Sequence, residues 1–258
     1  PPFLHHSHMN EYTAHMLATS VLLNPLVQAG LTPALAGLGL SGTVYGVLAN
    51  DPRLVASLGD AVNQPPYKAP PQAPVLYVKP RNTLAAAGSR TELPTGEAAF
   101  ELGAHLGLVI GRTACRVSTS QALSHLAGYL AVADLSLPHA SYYRPSLRFK
   151  ARDGSCVLGT SLTPASAVPA PDALSVHVSV GGQTAQSATT AGRVRGVAQL
   201  LADVTAFMTL RPGDVLLLGA SLGAPLVRPG QSWRIEIAGL PTLEGVVTAQ
   251  VTATEARA

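Results

Sequence analysis

GEAAFELGAHLGLVIGRTACRVSTSQALSHLAGYLAVADLSLPHASYYRPSLRFKARDG, residues 96–154, is the stretch on which the reading turns. Leu106 to Ile110 is a continuous apolar run closed by Gly111, the pattern of a strand buried on both faces. Ser118, with Gln121 three residues on, has the form of a capping box. The helix it opens would bury Leu123, Leu126 and Ala127 and end at Gly128. A second apolar strand, Tyr129 to Ala133, runs into Asp134, and a polar segment of Tyr, Arg and Lys then closes at Asp153-Gly154. Read from the residues alone, this is a buried scaffold that delivers one carboxylate, Asp134, to the mouth of a polar pocket.

Upstream, Gly42 to Leu48 alternates as a strand and turns at Asn50-Asp51-Pro52 into an amphipathic helix, Arg53 to Val62. A Pro-rich loop, Gln64 to Pro74, leads to the strand Val75 to Lys79. Downstream, Leu174 to Val180 alternates into a Gly181-Gly182 hairpin turn. A helix from about Val194 to Phe207 carries Val197, Leu200, Leu201 and Val204 on one face. Two Pro-Gly turns precede the strands Val215 to Leu218 and Trp233 to Ile237.

Composition agrees with a β-rich fold. The chain has 258 residues, 47% of them hydrophobic and 12% charged, with 24 Gly and 21 Pro, too many breakers for a helical bundle. A net charge of +3 without a block of like charge argues against nucleic acid as a partner. Two cysteines, Cys115 and Cys156, suit structural thiols in a reducing cytoplasm rather than a disulfide framework. Residues 1–16, with His5, His6 and His8, read as a tag-like segment, and 17–40 as an apolar N-terminal extension. Pro25, Pro33, Asn24 and Gln28 argue against a membrane span there. Residues 41–258 are expected to form a single domain.

The segments VKPRNTL (78–84), LVIGR (108–112), LAGYLAVAD (126–134), YYRPSLRFKARDG (142–154), MTLRPGDVLLLG (208–219) and VRPGQ (227–231) occur in the order seen in the fumarylacetoacetate hydrolase family, which the chain resembles from about Ser41 to Val247. YKAPP, KPRNT and SLPHASYYRP resemble more narrowly the N-terminal half of two-repeat members that combine a decarboxylase and an isomerase of homoprotocatechuate breakdown. The resemblance implies a mostly β (α+β) fold, a mixed β-sandwich roll with a few short helices, and a homodimer or a heterodimer with a sister subunit. It implies enolate chemistry on a small keto or enol di- or tricarboxylic acid, 5-oxopent-3-ene-1,2,5-tricarboxylate or 2-hydroxyhepta-2,4-diene-1,7-dioate. It also implies a Mg2+ or Mn2+ site of two Glu, spaced Glu-x-Glu, plus an Asp.

This chain departs from that pattern. The two Glu positions fall at Gly103 and His105, and Asp134 keeps the third. Asp134 and His105 are then the remaining metal candidates, a poor cage for a hard cation. The family's acid–base pair of His and Glu after the first strand is replaced by Asn50-Asp51-Pro52-Arg53. Glu101 lies near the site in sequence, outside the Glu-x-Glu spacing. By the resemblance, Lys150 and Asp134 are the catalytic candidates, and Arg144, Tyr143, Lys79 and Thr190 the substrate-binding ones. Lys150 either holds a substrate carboxylate or simply pairs with Asp134 or Asp153. Two expectations follow: an enzyme subunit, or a catalytically depleted partner of a metal-bearing sister subunit.

Overall fold

The computed structural model describes residues 32–139 and 147–250. They form a mixed β-sandwich roll with a few short helices. The strands are β1 (Val44–Leu48), β2 (Val75–Lys79), β3 (Leu84–Ala86), β4 (Arg90–Leu93), β5 (Phe100–Ile110), β6 (Leu126–Ser136) and β7 (Cys156–Leu158). They continue as β8 (Thr163–Pro164), β9 (Ser175–Val180), β10 (Gln183–Thr189), β11 (Val215–Leu217), β12 (Leu226–Val227), β13 (Ser232–Ile237) and β14 (Leu243–Ala249). The larger sheet runs β2-β1-β11-β5-β6-β7-β3, with β12 also on β5 and β8 on β6. The smaller runs β10-β9-β13-β14-β4. The β1–β11, β3–β7 and β4–β14 pairs are parallel and the others antiparallel.

The spine is the antiparallel pair β5–β6, in register from Glu101 opposite Ser136 to Val109 opposite Gly128, with a one-residue shift before Ile110 opposite Leu126. Both strands are longer than their apolar runs predict. The first half of β5 escapes a hydrophobic reading because Glu101, Gly103 and His105 interrupt it; these three share one face of the strand. The helix predicted from Ser118 shrinks to Thr119–Ala122 followed by a 3-10 turn, Leu123–His125. Leu126 and Ala127 belong to β6, and Leu123 is exposed. Gly128 is not a helix stop. It lies within β6, where an added Cβ would collide with the backbone of Thr163 on β8. Ser118 makes no cap bond to a backbone N–H; its hydroxyl meets Ser120 and Gln121 side chains instead.

Other expectations stand closer to the outcome. The Gly181-Gly182 hairpin has φ of 59° and 80°, which glycine adopts without cost. The helix Val197–Thr205 buries Val197, Leu200, Leu201 and Val204 completely, each contributing about 1.5–3 kcal/mol. Residues 53–62 are not one helix: Pro52–Ser57 is helical with no buried residue, and Gly59–Asn63 is a 3-10 turn that buries Val62. At the N-terminal end, a short helix, Pro33–Ala36, seats Leu35 and Leu40 against Val44, Val109 and Leu130. Cys115 is exposed and Cys156 buried, both as free thiols. No helix of the described residues is long and apolar enough to cross a membrane.

Candidate active site

The C-terminal half of β6 and the N-terminal half of β5 carry the candidate site, with β1 and β2 beside them. Gly103 stands opposite Asp134 in the ladder, so the Asp134 side chain emerges where β5 offers no side chain of its own. A cavity opens there, lined by Tyr77, Glu101, Gly103, His105, Asp134, Ser136, His139 and Lys150, with Leu48, Ala49 and Leu54 on one wall and residues 220–224 on another.

Asp134 is 1% exposed and both its oxygens are fully engaged. Oδ1 accepts Lys79 Nζ at 2.8 Å and Ser136 Oγ at 3.1 Å. Oδ2 accepts Tyr77 Oη at 2.5 Å and Lys150 Nζ at 3.0 Å. Burial alone would raise the Asp134 carboxyl, but the Lys150 and Lys79 ammoniums hold it well below the usual carboxylate range. Tyr77 is pushed the other way, well above an ordinary phenol, by burial and by the Asp134 charge. Its ring reaches Asp134 only because β1 has glycine at 46; a Cβ there would fall inside the ring.

The two lysines have different places. Lys79 is completely buried and spends its three N–H donors on Asp134, the Lys150 carbonyl and Ser155 Oγ at 3.0 Å. It does not line the cavity. Lys150, at the end of the helix Leu147–Lys150, does line it. Its Nζ sits 4.6 Å from the centre of the Tyr77 ring and its side chain is 12% exposed. Asp153 instead accepts from Asn82 at 2.6 Å.

The structure does not bring Thr190 to this cavity. Its hydroxyl accepts the Leu174 N–H and donates to the Pro171 carbonyl, which is structural use of a buried group. Tyr143 and Arg144 lie outside the described residues. Glu101 is the residue the sequence reading passed over. Strand alternation puts it on the same face as Gly103 and His105, without any shift of register. The signal was present in the sequence as three interrupting residues at a period of two.

Asp51 is a second residue that spacing undervalued. It caps the helix Pro52–Ser57 through the Arg53 N–H, pairs with the Arg53 side chain at 2.7 Å, and accepts the Leu222 N–H at 2.9 Å. Burial alone would raise its carboxyl, but the Arg53 side chain and the Leu222 and Arg53 N–H groups bring it down to about 2. Arg193, 3.5 Å from Asp51, also donates to Ala220 O and Ser221 Oγ. Asn50 completes the junction, bonding Arg195 and Leu218 backbone atoms. These contacts hold the 220–224 wall of the cavity in place.

The donor set does not fit a divalent metal ion. No group of three or more metal-ligating side chains occurs among the described residues. Asp134 has no free lone pair directed at the cavity, since two ammoniums and two hydroxyls already use its oxygens. His105, 4.0 Å from Asp134, is lowered to about 3 by burial and carries no charge to balance a cation. At Gly103 even a Cβ would come within 3.0 Å of His105 Nε2. Positive charge at this carboxylate comes from lysine.

Three comparisons bear on this geometry. Residues 43–248 match the family model described as fumarylacetoacetate (FAA) hydrolase C-terminal. The chain is 39% identical over 211 residues to a 4-hydroxyphenylacetate degradation bifunctional isomerase/decarboxylase of Salmonella dublin, covering 82% of this chain and 48% of that protein. The chain therefore spans about half the length of that relative. Among solved structures, 2-hydroxyhepta-2,4-diene-1,7-dioate isomerase from Mycobacterium marinum superposes with a TM-score of 0.67 at 25% identity, over 82% of this chain and 76% of that one. Fumarylpyruvate hydrolase from Pseudomonas aeruginosa, in complex with Mn2+ and pyruvate, gives 0.64 at 25% identity, over 81% and 89%. On the family model, the half-length match and the shared sandwich roll together, this chain belongs to the fumarylacetoacetate hydrolase family.

Proposed function

We propose that this chain acts on a small keto or enol di- or tricarboxylic acid by enolate chemistry, as an isomerase or decarboxylase of 4-hydroxyphenylacetate breakdown. The candidates are 2-hydroxyhepta-2,4-diene-1,7-dioate and 5-oxopent-3-ene-1,2,5-tricarboxylate. The observation that carries the reading is the Lys150 ammonium, fixed at 3.0 Å from Asp134 and facing the cavity. An ammonium held in a water-poor site meets the negative charge that develops on an enolate oxygen or a departing carboxylate, and costs no reorganisation when it does so. The Asp134 carboxylate orients that ammonium, and Lys79 and Ser136 fix the carboxylate in turn. The relatives named for this chemistry support the substrate class.

One observation favours a second reading, a support role beside a metal-bearing sister subunit: the chain's own donor set does not suit a cation. One experiment separates the two. The purified chain is assayed for loss of dienol absorbance with chelator, with Mg2+ or Mn2+, and with a separately expressed sister half. Turnover by the chain alone in chelator is expected. Turnover only with the sister half present would establish the support role.

A further inference from the structure

The cavity holds two carboxyl groups with opposite circumstances. Asp134 is saturated by four donors and held ionised. Glu101 lies on the adjacent strand, opposite Ser136 where Gly103 is opposite Asp134, one alternate step along the same face. It lines the cavity, is only partly exposed, and among the described residues its carboxyl enters no hydrogen bond or ion pair. A cavity-lining carboxyl that no described residue engages is placed to exchange a proton with whatever occupies the cavity.

We propose that Glu101 is the catalytic residue that carries the proton to and from substrate carbon. This rests on the keto–enol reading above. In the forward step, the O–H bond of a dienol breaks and its proton leaves to water. The resulting oxyanion is held by Lys150. The electron pair moves to carbon, a new C–H bond forms with the proton of the Glu101 carboxyl, and the enol oxygen becomes a carbonyl. Glu101, now ionised, takes a proton back from water. No oxidant or reductant is needed.

Tyr77, Lys150 and His105 are less suited to the task. Tyr77 donates to Asp134 and is held protonated. Lys150 is tied to Asp134. The His105 imidazole, whose Nδ1 has no hydrogen-bond partner among the described residues, is lowered to about 3 by burial and is a weak base at neutral pH. Burial raises the Glu101 carboxyl, and the Asp134 charge adds to that, against the opposing pull of Lys150 and His139. The net direction is upward, toward the protonated form that a proton donor to carbon needs.

The test uses Glu101→Gln and Glu101→Asp with 2-hydroxyhepta-2,4-diene-1,7-dioate in H2O and D2O, reading turnover and deuterium at carbon. Binding is read separately with oxalate, a non-reacting mimic of the enolate. Glu101→Gln is expected to lower kcat by about 10²–10⁴-fold with KM and oxalate affinity nearly unchanged, and to remove one limb of the pH–rate profile. Glu101→Asp, which keeps the carboxyl but shortens its reach, is expected to fall between the two and keeps the test open if the amide variant folds poorly. Full turnover and deuterium incorporation in Glu101→Gln overturn the assignment and leave the proposed function standing. Equal loss of oxalate binding and turnover also overturns it, making Glu101 a binding residue. A wild-type chain inert toward every keto–enol acid tried overturns both.

Discussion

Lys79 Nζ lies 2.8 Å from Asp134 Oδ1, and the two side chains are 0% and 1% exposed, so this ion pair is sealed from solvent. The pair is the foundation under the cavity, while Lys150, on the other oxygen of the same carboxylate, is its working face. The two lysines therefore separate stability from activity. Removing one partner of a buried pair costs about 3–5 kcal/mol, and losing Lys79 also takes the donor from the Lys150 carbonyl and from Ser155 Oγ. Lys79→Met should lower the melting temperature by about 6–20 °C. Lys150→Ala should cost less stability than Lys79→Met, since Asp134 keeps its fully buried Lys79 partner, yet abolish turnover. Thermal melts and assays of both variants check this; equal melting losses, or full turnover without Lys150, would undo the distinction.

Metal dependence gives the next expectation. With the Asp134 oxygens spent, a divalent cation gains no binding energy specific to the native state, and so cannot stabilise it by mass action. Millimolar Mg2+ or Mn2+ should leave the melting temperature unchanged, and chelator should leave turnover unchanged. A metal-dependent rise in melting temperature that disappears in Asp134→Asn would show that a cation displaces the lysines.

The Asp51–Arg193 contact predicts a different kinetic signature. Asp51 ties the Leu222 backbone, and Arg193 ties Ala220 and Ser221, to the end of β1. Neither side chain lies among those lining the cavity. Asp51→Asn keeps the size but weakens the pairing with both arginines, so the 220–224 wall should loosen. KM should rise about 5–30-fold, the factor that 1–2 kcal/mol of lost positioning represents, with a smaller change in kcat. Limited proteolysis within residues 219–224 should accelerate in parallel. A fall in kcat at constant KM would instead place Asp51 in the chemistry.

The fold was largely legible in the sequence because its buried strands are apolar runs and its turns are Gly and Pro. Val75–Lys79, the Gly181-Gly182 hairpin and the buried face of Val197–Thr205 all follow from periodicity. The site was legible less evenly. Asp134 stands out as a charge inside an apolar run, and Lys150 as one of three lysines. Glu101 and His105 are harder to see, because a strand whose one face is a cavity has a broken hydrophobic pattern, and β5 looked shorter for that reason. Thr190 shows the converse error: a hydroxyl near the family's pocket segment whose bonds go entirely to Leu174 and Pro171. Which donors a buried polar group has found depends on long-range partners that no local pattern contains.

Acid stability should expose His105. Its imidazole is lowered from 6.5 to about 3 by burial, outweighing the pull of Asp134. Between those limits the unfolded chain binds a proton that the native state refuses. Stability therefore rises with pH across this window and is lost as pH falls below about 6.5, by about 1.4 kcal/mol per pH unit at most from this one group. Asp134 and Asp51 act in the same sense at lower pH, because their depressed carboxyls stabilise the fold above the unfolded value of 3.8 and lose that contribution on further acidification. Glu101, raised by burial, works against the trend. In His105→Gln all the other titrating groups remain, so the difference in slope isolates the imidazole. Urea midpoints at pH 7, 6 and 5 should fall steeply in the wild type and more gently in the variant. Parallel slopes would mean that the buried imidazole titrates as it does in water, and that the cavity wall around it is wetter than the packing of β5 against β6 implies.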